Sequence, residues 1–191
     1  MNRVTSRRRR SGQGPDQAMN VIGVTGWSGS GKTTLVVNLL PELIGRGVSV
    51  STMKHTHHNF EIDRPGKDSY RHREAGANEV LLGSARRWAL LHEVRDGSET
   101  TIEELIERMT PVDLLLIEGF KSENHVKIEV HRPSVGSPLL CHDDPTIVAV
   151  ASDQSLPDVS LPVLDLNDVV GIADFIVDLC GIETKVVNGA A

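Results

Sequence analysis

The spacing of apolar and polar positions changes several times along the chain, and each change marks an element. Asn20–Thr25 is a short apolar, β-branched run that reads as a buried strand and leads straight into a glycine-rich turn. Beyond the turn, Leu35, Val36, Leu39, Leu40 and Leu43 recur at helical spacing, so the chain opens on strand, loop, helix. Pro41 falls inside the helical pattern and is expected to kink or shorten the helix, with Gly45 and Gly47 supplying the stop. Residues 48–53 alternate as a second strand. Residues 54–68 are too polar and irregular for an interior element, and read as a loop of the length usually reserved for function.

The second half continues the alternation. A helix over 69–75 precedes short strands near 79–82 and 87–92, and 101–109 form an amphipathic helix with acidic first turns, which suits the helix dipole. Residues 112–117 are a continuous apolar run ending in Glu118-Gly119, the pattern of a parallel strand buried on both faces. Strands over 126–130, 146–151 and 163–166 and a closing helix over 169–179 complete the chain. Strands alternating with helices predict an α/β fold with a mostly parallel central sheet flanked by helices and right-handed crossovers, and Gly26-Trp-Ser-Gly-Ser-Gly31-Lys32-Thr33 between the first strand and helix makes it a P-loop NTPase.

Composition narrows the picture. A length of 191 residues fits one domain, placed at 19–181, between an Arg-rich extension over 1–18 and a flexible tail over 182–191. Apolar residues at 39% and charged residues at 24% are ordinary for a globular protein and exclude general disorder. With only two Trp, one Tyr and three Phe, aliphatic side chains must supply the core. The net charge is -6, and residues 1–18 hold Arg3, Arg7, Arg8, Arg9 and Arg10 against Asp16, so the body is more acidic still. A nucleic-acid-binding body is disfavoured. The arginine run is followed by a polar stretch instead of the apolar segment a targeting signal needs, and Met19 before the first strand is a candidate start. No apolar run is long enough to span a bilayer. Cys141 and Cys180 are far apart and outside any metal-ligand spacing, which suggests reduced thiols and a cytoplasmic setting.

The strongest chemical signal is Gly26-Trp-Ser-Gly-Ser-Gly31-Lys32-Thr33, which matches G-x-x-x-x-G-K-[ST] at every fixed position and lies between a strand and a helix. In such a loop backbone N–H groups turn inward around phosphates, and the helix N-terminus adds its partial positive charge. Lys32 is expected to reach the β- and γ-phosphates and the Thr33 hydroxyl to meet magnesium, with Gly26, Ser28, Gly29, Ser30, Gly31 and Thr34 completing the cradle. Glu118, at the tip of a buried strand, is the acidic candidate for holding magnesium; Asp113 stands at the wrong end of that strand. Lys54, His55, His57 and His58, with Asp63, Lys67 and Asp68, are candidates for a switch loop or a second ligand, and the clustered imidazoles also allow a metal site. Asp153, just past a strand, is a candidate acceptor for a guanine N1–H and amino group, since no Asn in the chain is followed by Lys and the Asn-Lys-x-Asp tetrad is absent. Arg86-Arg87 reads as a basic strand entry, with an anion contact as the alternative.

The ordered set of residues 26–34, Lys54-His-Thr-His-His58, Asp63-Arg-Pro-Gly-Lys-Asp-Ser69, Ala75-Gly-Ala77, Arg87-Trp-Ala-Leu90, Leu116-Ile-Glu-Gly-Phe-Lys121, Val148-Ala-Val-Ala-Ser-Asp153 and Asp165-Leu-Asn-Asp168 resembles the molybdopterin-guanine dinucleotide biosynthesis protein B family over roughly residues 20–180. The resemblance implies a GTP-binding protein with magnesium and weak intrinsic GTPase activity. It also implies a homodimer acting beside the molybdenum cofactor guanylyltransferase that joins GMP to molybdopterin, as adapter or nucleotide supplier. Gly29, Gly31, Lys32, Thr33 and Thr34 match the family's phosphate loop and Glu118 its acidic strand end; no catalytic base is implied. Two rival readings use the same loop. One is a small-molecule kinase with Arg71 and Arg73 as a lid, and the other is a metal-delivery GTPase built on the histidines.

Overall fold

The structure, a computed structural model, describes residues 19–56 and 62–184. The expected extension over 1–18, the loop residues His57 and His58, and the end of the tail from 185 lie outside the described residues. In chain order the elements are β1 (Asn20–Thr25), α1 (Lys32–Gly45), β2 (Val50–Lys54), α2 (Asp68–Glu74), β3 (Glu79–Gly83), β4 (Trp88–His92), α3 (Ile102–Glu107), β5 (Leu114–Glu118), β6 (Lys127–His131), β7 (Ile147–Ser152), β8 (Val163–Asp165) and α4 (Val169–Cys180). They fall into two compact units, Met1–Met53 with Pro111–Ala191, and Lys54–Thr110.

The first unit is built on a sheet in the order β2-β5-β1-β6-β7-β8. β1 pairs in parallel with β5 and β6, β6 with β7, and β7 with β8. Ile22 and Val24, Leu114 and Leu116, Ile128 and Val130, and Ala149 and Ala151 share one core cluster with Leu35, Leu39 and Leu43 of α1 and Ile172, Ala173 and Ile176 of α4. Alternate strand residues point to one face, so α1 and α4 cover the same face of the sheet. Leu115 and Ile117 on the opposite face of β5 are also 0% exposed, which is why this strand carries no polar alternation. Strand order leaves β1 and β5 side by side in the middle of the sheet, and both run out at the same edge.

Two details depart from the pattern read along the chain. Pro41 does not shorten α1, which runs on to Gly45; Pro41 and Val37, whose carbonyl loses its donor, are both exposed, so no buried group is orphaned. The stop itself falls where the sequence puts it, at Gly45 and the turn through Gly47, with φ 81°. Ile182, placed in the tail, packs on the core and donates its N–H to the carbonyl of Val177.

β6 holds two buried charges, Lys127 and Glu129. Alternation with Ile128 and Val130 suggests a polar face in water, but the sheet is covered there, and a buried charge persists only with partners. Lys127 Nζ donates to Asp144 Oδ2 at 2.8 Å, Thr146 Oγ1 at 2.9 Å and the Lys121 carbonyl at 2.9 Å. Glu129 accepts from the backbone N–H of Leu140 at 2.8 Å and of Cys141 at 2.9 Å. Burial pushes the Asp144 carboxyl up, but the hydrogen bonds from Lys127 and Thr146 outweigh it and hold it below the usual range. Burial pushes the Cys141 thiol up, and the neighbouring Glu129 adds to the shift, which disfavours the thiolate.

In the second unit β3 and β4 form their own antiparallel sheet, with Leu81 opposite Leu90 and Gly83 opposite Trp88. α3 is shorter than its amphipathic pattern: Thr101 serves as its N-cap, and the helix ends at Glu107. The Thr101 side chain accepts from the N–H of Glu104, whose carboxylate accepts from the N–H of Thr101. Asp63 is buried, and its carboxylate accepts from Arg73 Nη2 at 3.3 Å and Nε at 3.4 Å. Among the described residues no helix is long and apolar enough to cross a membrane.

Candidate functional site

β1 carries the chain through buried Thr25 into the loop of residues 26–31. Gly26 has φ 141°, and a Cβ built on it would lie 2.4 Å from the carbonyl oxygen of Val130 in β6, so both conformation and space require glycine. The loop closes on itself: Ser30 N–H and Lys32 Nζ both donate to the Trp27 carbonyl, at 3.2 and 2.7 Å. Gly31, in the left-handed region at φ 100°, is the N-cap of α1 and brings no side chain to cap it. The first turn of α1 holds no acidic residue. Backbone N–H groups and the positive end of the helix dipole are therefore gathered with no protein carboxylate in that turn, which is what an anion needs.

β5 adds the acid. Its register places Glu118 beside Val24, one residue before the end of β1. Thr33 Oγ1 donates to Glu118 Oε1 at 2.5 Å. The chain then turns through Gly119 at φ 98° and Phe120 at φ 50°, the one non-glycine residue with positive φ among those described. This turn sets Lys121 Nζ over the Trp27 ring, 4.0 Å from its centre, and Trp27 Nε1 donates to the Pro138 carbonyl at 2.8 Å. Asp113, at the other end of β5, accepts from Ser49 N–H at 2.8 Å and Oγ at 2.6 Å and serves the sheet.

A hydroxyl and a carboxylate in contact beside an uncapped helix start suit magnesium, which prefers hard oxygen donors and keeps part of its water. Glu118 next to a polyphosphate would be repelled unless a cation stood between them. Lys32, Thr33 and Glu118 thus come together from elements far apart in sequence. Ser28, Gly29 and Thr34 are exposed along the same loop and first turn, while Ser30 is buried.

Asp153 follows β7, two strands from β1 at the carboxyl edge where α/β sheets take ligands. Its Oδ2 accepts from Arg132 Nη1. Arg132, just past β6, also donates Nε to the Ser30 carbonyl at 3.1 Å. No motif marks Arg132, and its position after a strand at the ligand edge is the only sequence signal that it carries.

The remaining candidates belong to the second unit, which opens at Lys54, the last residue of β2. His55 follows it, and Lys67 and Asp68 are exposed at the start of α2. Asp63 is committed to Arg73, which also approaches Glu93 and Glu74 at 3.6 and 3.7 Å and lies over the Tyr70 ring. The buried Asp63 carboxylate is thus paired with a half-buried arginine, a pairing that engages both groups within the second unit. Among the described residues no three His, Cys, Asp or Glu side chains group as metal ligands.

A strand, a glycine-rich loop and a helix at the centre of a mostly parallel sheet place the protein among the P-loop α/β nucleotide-binding folds. The family described as Molybdopterin guanine dinucleotide synthesis protein B (MobB) matches residues 21–153, and the chain belongs to that family. It is 44% identical over 161 residues to the molybdopterin-guanine dinucleotide biosynthesis adapter protein of Escherichia coli (strain K12), covering 83% of this chain and 91% of that protein. The protein of the same description from Haemophilus influenzae is 44% identical over 157 residues, covering 82% of this chain and 86% of that one. A solved structure of molybdopterin-guanine biosynthesis protein B superimposes with a TM-score of 0.68 at 26% identity, over 84% of this chain and 99% of that one.

Proposed function

We propose that this protein binds GTP with magnesium at residues 26–34 and serves as an adapter in molybdopterin-guanine dinucleotide biosynthesis, with slow GTP hydrolysis of its own. The observation that carries the nucleotide half is the Thr33–Glu118 contact beside the uncapped start of α1. Backbone N–H groups and Lys32 answer the phosphates, and Thr33 with Glu118 would hold magnesium, which when bound neutralises the phosphate oxygens. Hydrolysis in isolation should be slow because both loop-proximal arginine contacts are internal: Arg132 is held by Asp153 and Ser30. The adapter half is supported by the two adapter relatives at 44% identity. The partner it implies is the guanylyltransferase that joins GMP to molybdopterin. Parallel calorimetric titrations with GTP, ATP and molybdopterin in magnesium test the reading: GTP should bind at least tenfold more tightly than ATP, and equal binding of the two would remove the guanine assignment.

An adapter needs a contact surface, and we assign self-association to the β3–β4 hairpin. The register puts Leu81, Leu90 and Trp88 on one face, and these are 66%, 46% and 70% exposed. A contiguous apolar stripe of this kind is costly to leave in water. Leu81→Glu should convert a dimer to a monomer in sedimentation velocity without altering circular dichroism. An unchanged sedimentation coefficient would place the dimer contact elsewhere.

A further inference from the structure

Arg132 has two contacts that together point to a task. Its Nε donates to the Ser30 carbonyl at 3.1 Å, and its Nη1 to Asp153 Oδ2. The Ser30–Gly31 peptide lies in the phosphate loop, and it is trans, so its C=O and its N–H point in opposite directions. A guanidinium holding the Ser30 oxygen therefore turns the Gly31 N–H to the opposite side. The guanidinium lies along this side of the loop: an added Cβ at Gly31 would be in ordinary contact with it, 3.4 Å from Arg132 Nε. A charge-assisted bond to the carbonyl also polarises the peptide and strengthens its N–H as a donor.

We propose that Arg132 is a positioning residue of the phosphate loop: it holds the Ser30–Gly31 peptide so that the Gly31 N–H donates to the diphosphate of the bound nucleotide, and Asp153 acts by holding Arg132. This rests on the phosphate-loop reading above. Asp153 neutralises the guanidinium, so the pair adds little net field at a phosphate, and its effect passes through the peptide. Two donors of one planar fork are needed, one for Ser30 and one for Asp153, and a lysine ammonium does not reproduce that geometry. The assignment explains why an arginine at the end of β6 and a carboxylate at the end of β7 meet beside a loop that contains neither.

The test compares the wild-type protein with Arg132→Gln, Asp153→Asn, the double variant and Lys32→Ala, each titrated with GTP in magnesium. Arg132→Gln should weaken binding about tenfold and Asp153→Asn several-fold. The double variant should lose no more than Arg132→Gln alone, because one residue acts through the other. Arg132→Lys should not restore affinity. In the wild-type protein labelled with 15N-glycine, the Gly31 amide resonance should shift on addition of GDP, and that shift should shrink in Asp153→Asn. Losses that multiply in the double variant, or a Gly31 amide that GDP leaves unmoved, would overturn the inference. Arg132→Gln binding within twofold of wild type while Lys32→Ala loses tenfold would overturn it too and leave the phosphate loop standing. If Lys32→Ala also binds as wild type does, the phosphate-loop reading itself fails. Should Arg132→Gln not fold, the Asp153→Asn titration and the Gly31 resonance decide the matter.

Discussion

Lys32→Ala is expected to weaken binding of GTP with magnesium by tenfold or more, about 1.4 kcal/mol. The ammonium already lies against the loop, donating to the Trp27 carbonyl at 2.7 Å. A bound phosphate would replace a neutral acceptor by an anionic one, and hydrogen bonds between charged groups are roughly twice as strong as neutral ones. Alanine removes the full positive charge that the motif itself contributes, leaving only backbone dipoles to answer the phosphates. Folding should survive, because Lys32 stands at the first position of α1 and the helix is anchored by Leu35, Val36, Leu39 and Leu43. Isothermal titration of both proteins, with thermal unfolding as a control, checks the expectation. Equal affinities would remove the phosphate-loop assignment.

Glu118→Gln should act differently, raising the magnesium needed for half-maximal GTPase turnover by about tenfold, the equivalent of roughly 1.4 kcal/mol, while changing GTP affinity less. Glutamine keeps the size of the side chain and an oxygen that can still accept from Thr33 Oγ1, now 2.5 Å from the carboxylate. What it loses is the negative charge that favours a divalent cation over water. Thr33→Ala deletes the other half of the contact and should resemble it. Chelating magnesium should abolish turnover in the wild-type protein and in both variants, since all three would then lack the ion that neutralises the phosphates. Turnover measured across a magnesium series decides the point: a Glu118→Gln curve superimposed on wild type would move the metal role to another carboxylate.

Nearly every regular element was legible along the chain because local pattern and burial agree. The glycine-rich turn after Asn20–Thr25, the aliphatic spacing of α1 and the unbroken run into Glu118 each state their own environment. Pro41 leaves α1 its length to Gly45 because a proline's cost depends on whether the carbonyl it orphans is buried, and that is a tertiary fact. The antiparallel pairing of β3 with β4 escaped notice for a similar reason: short apolar runs do not announce their partners.

The sequence by itself determined the glycine-rich loop between β1 and α1, the fold class and the family, because each rests on residue types in a fixed order along the chain. Only the tertiary structure decided which distant side chains stand beside that loop. Lys127 and Glu129 look like a solvent face until the sheet covers them and Asp144 and two backbone N–H groups take their charges. Asp63 looks available until Arg73 is found against it. Arg132 carries no motif, yet it reaches Ser30 across a sequence separation of 102 residues. A hydrogen bond of that kind is set by strand order and register, and neither can be read from the alternation of apolar and polar residues.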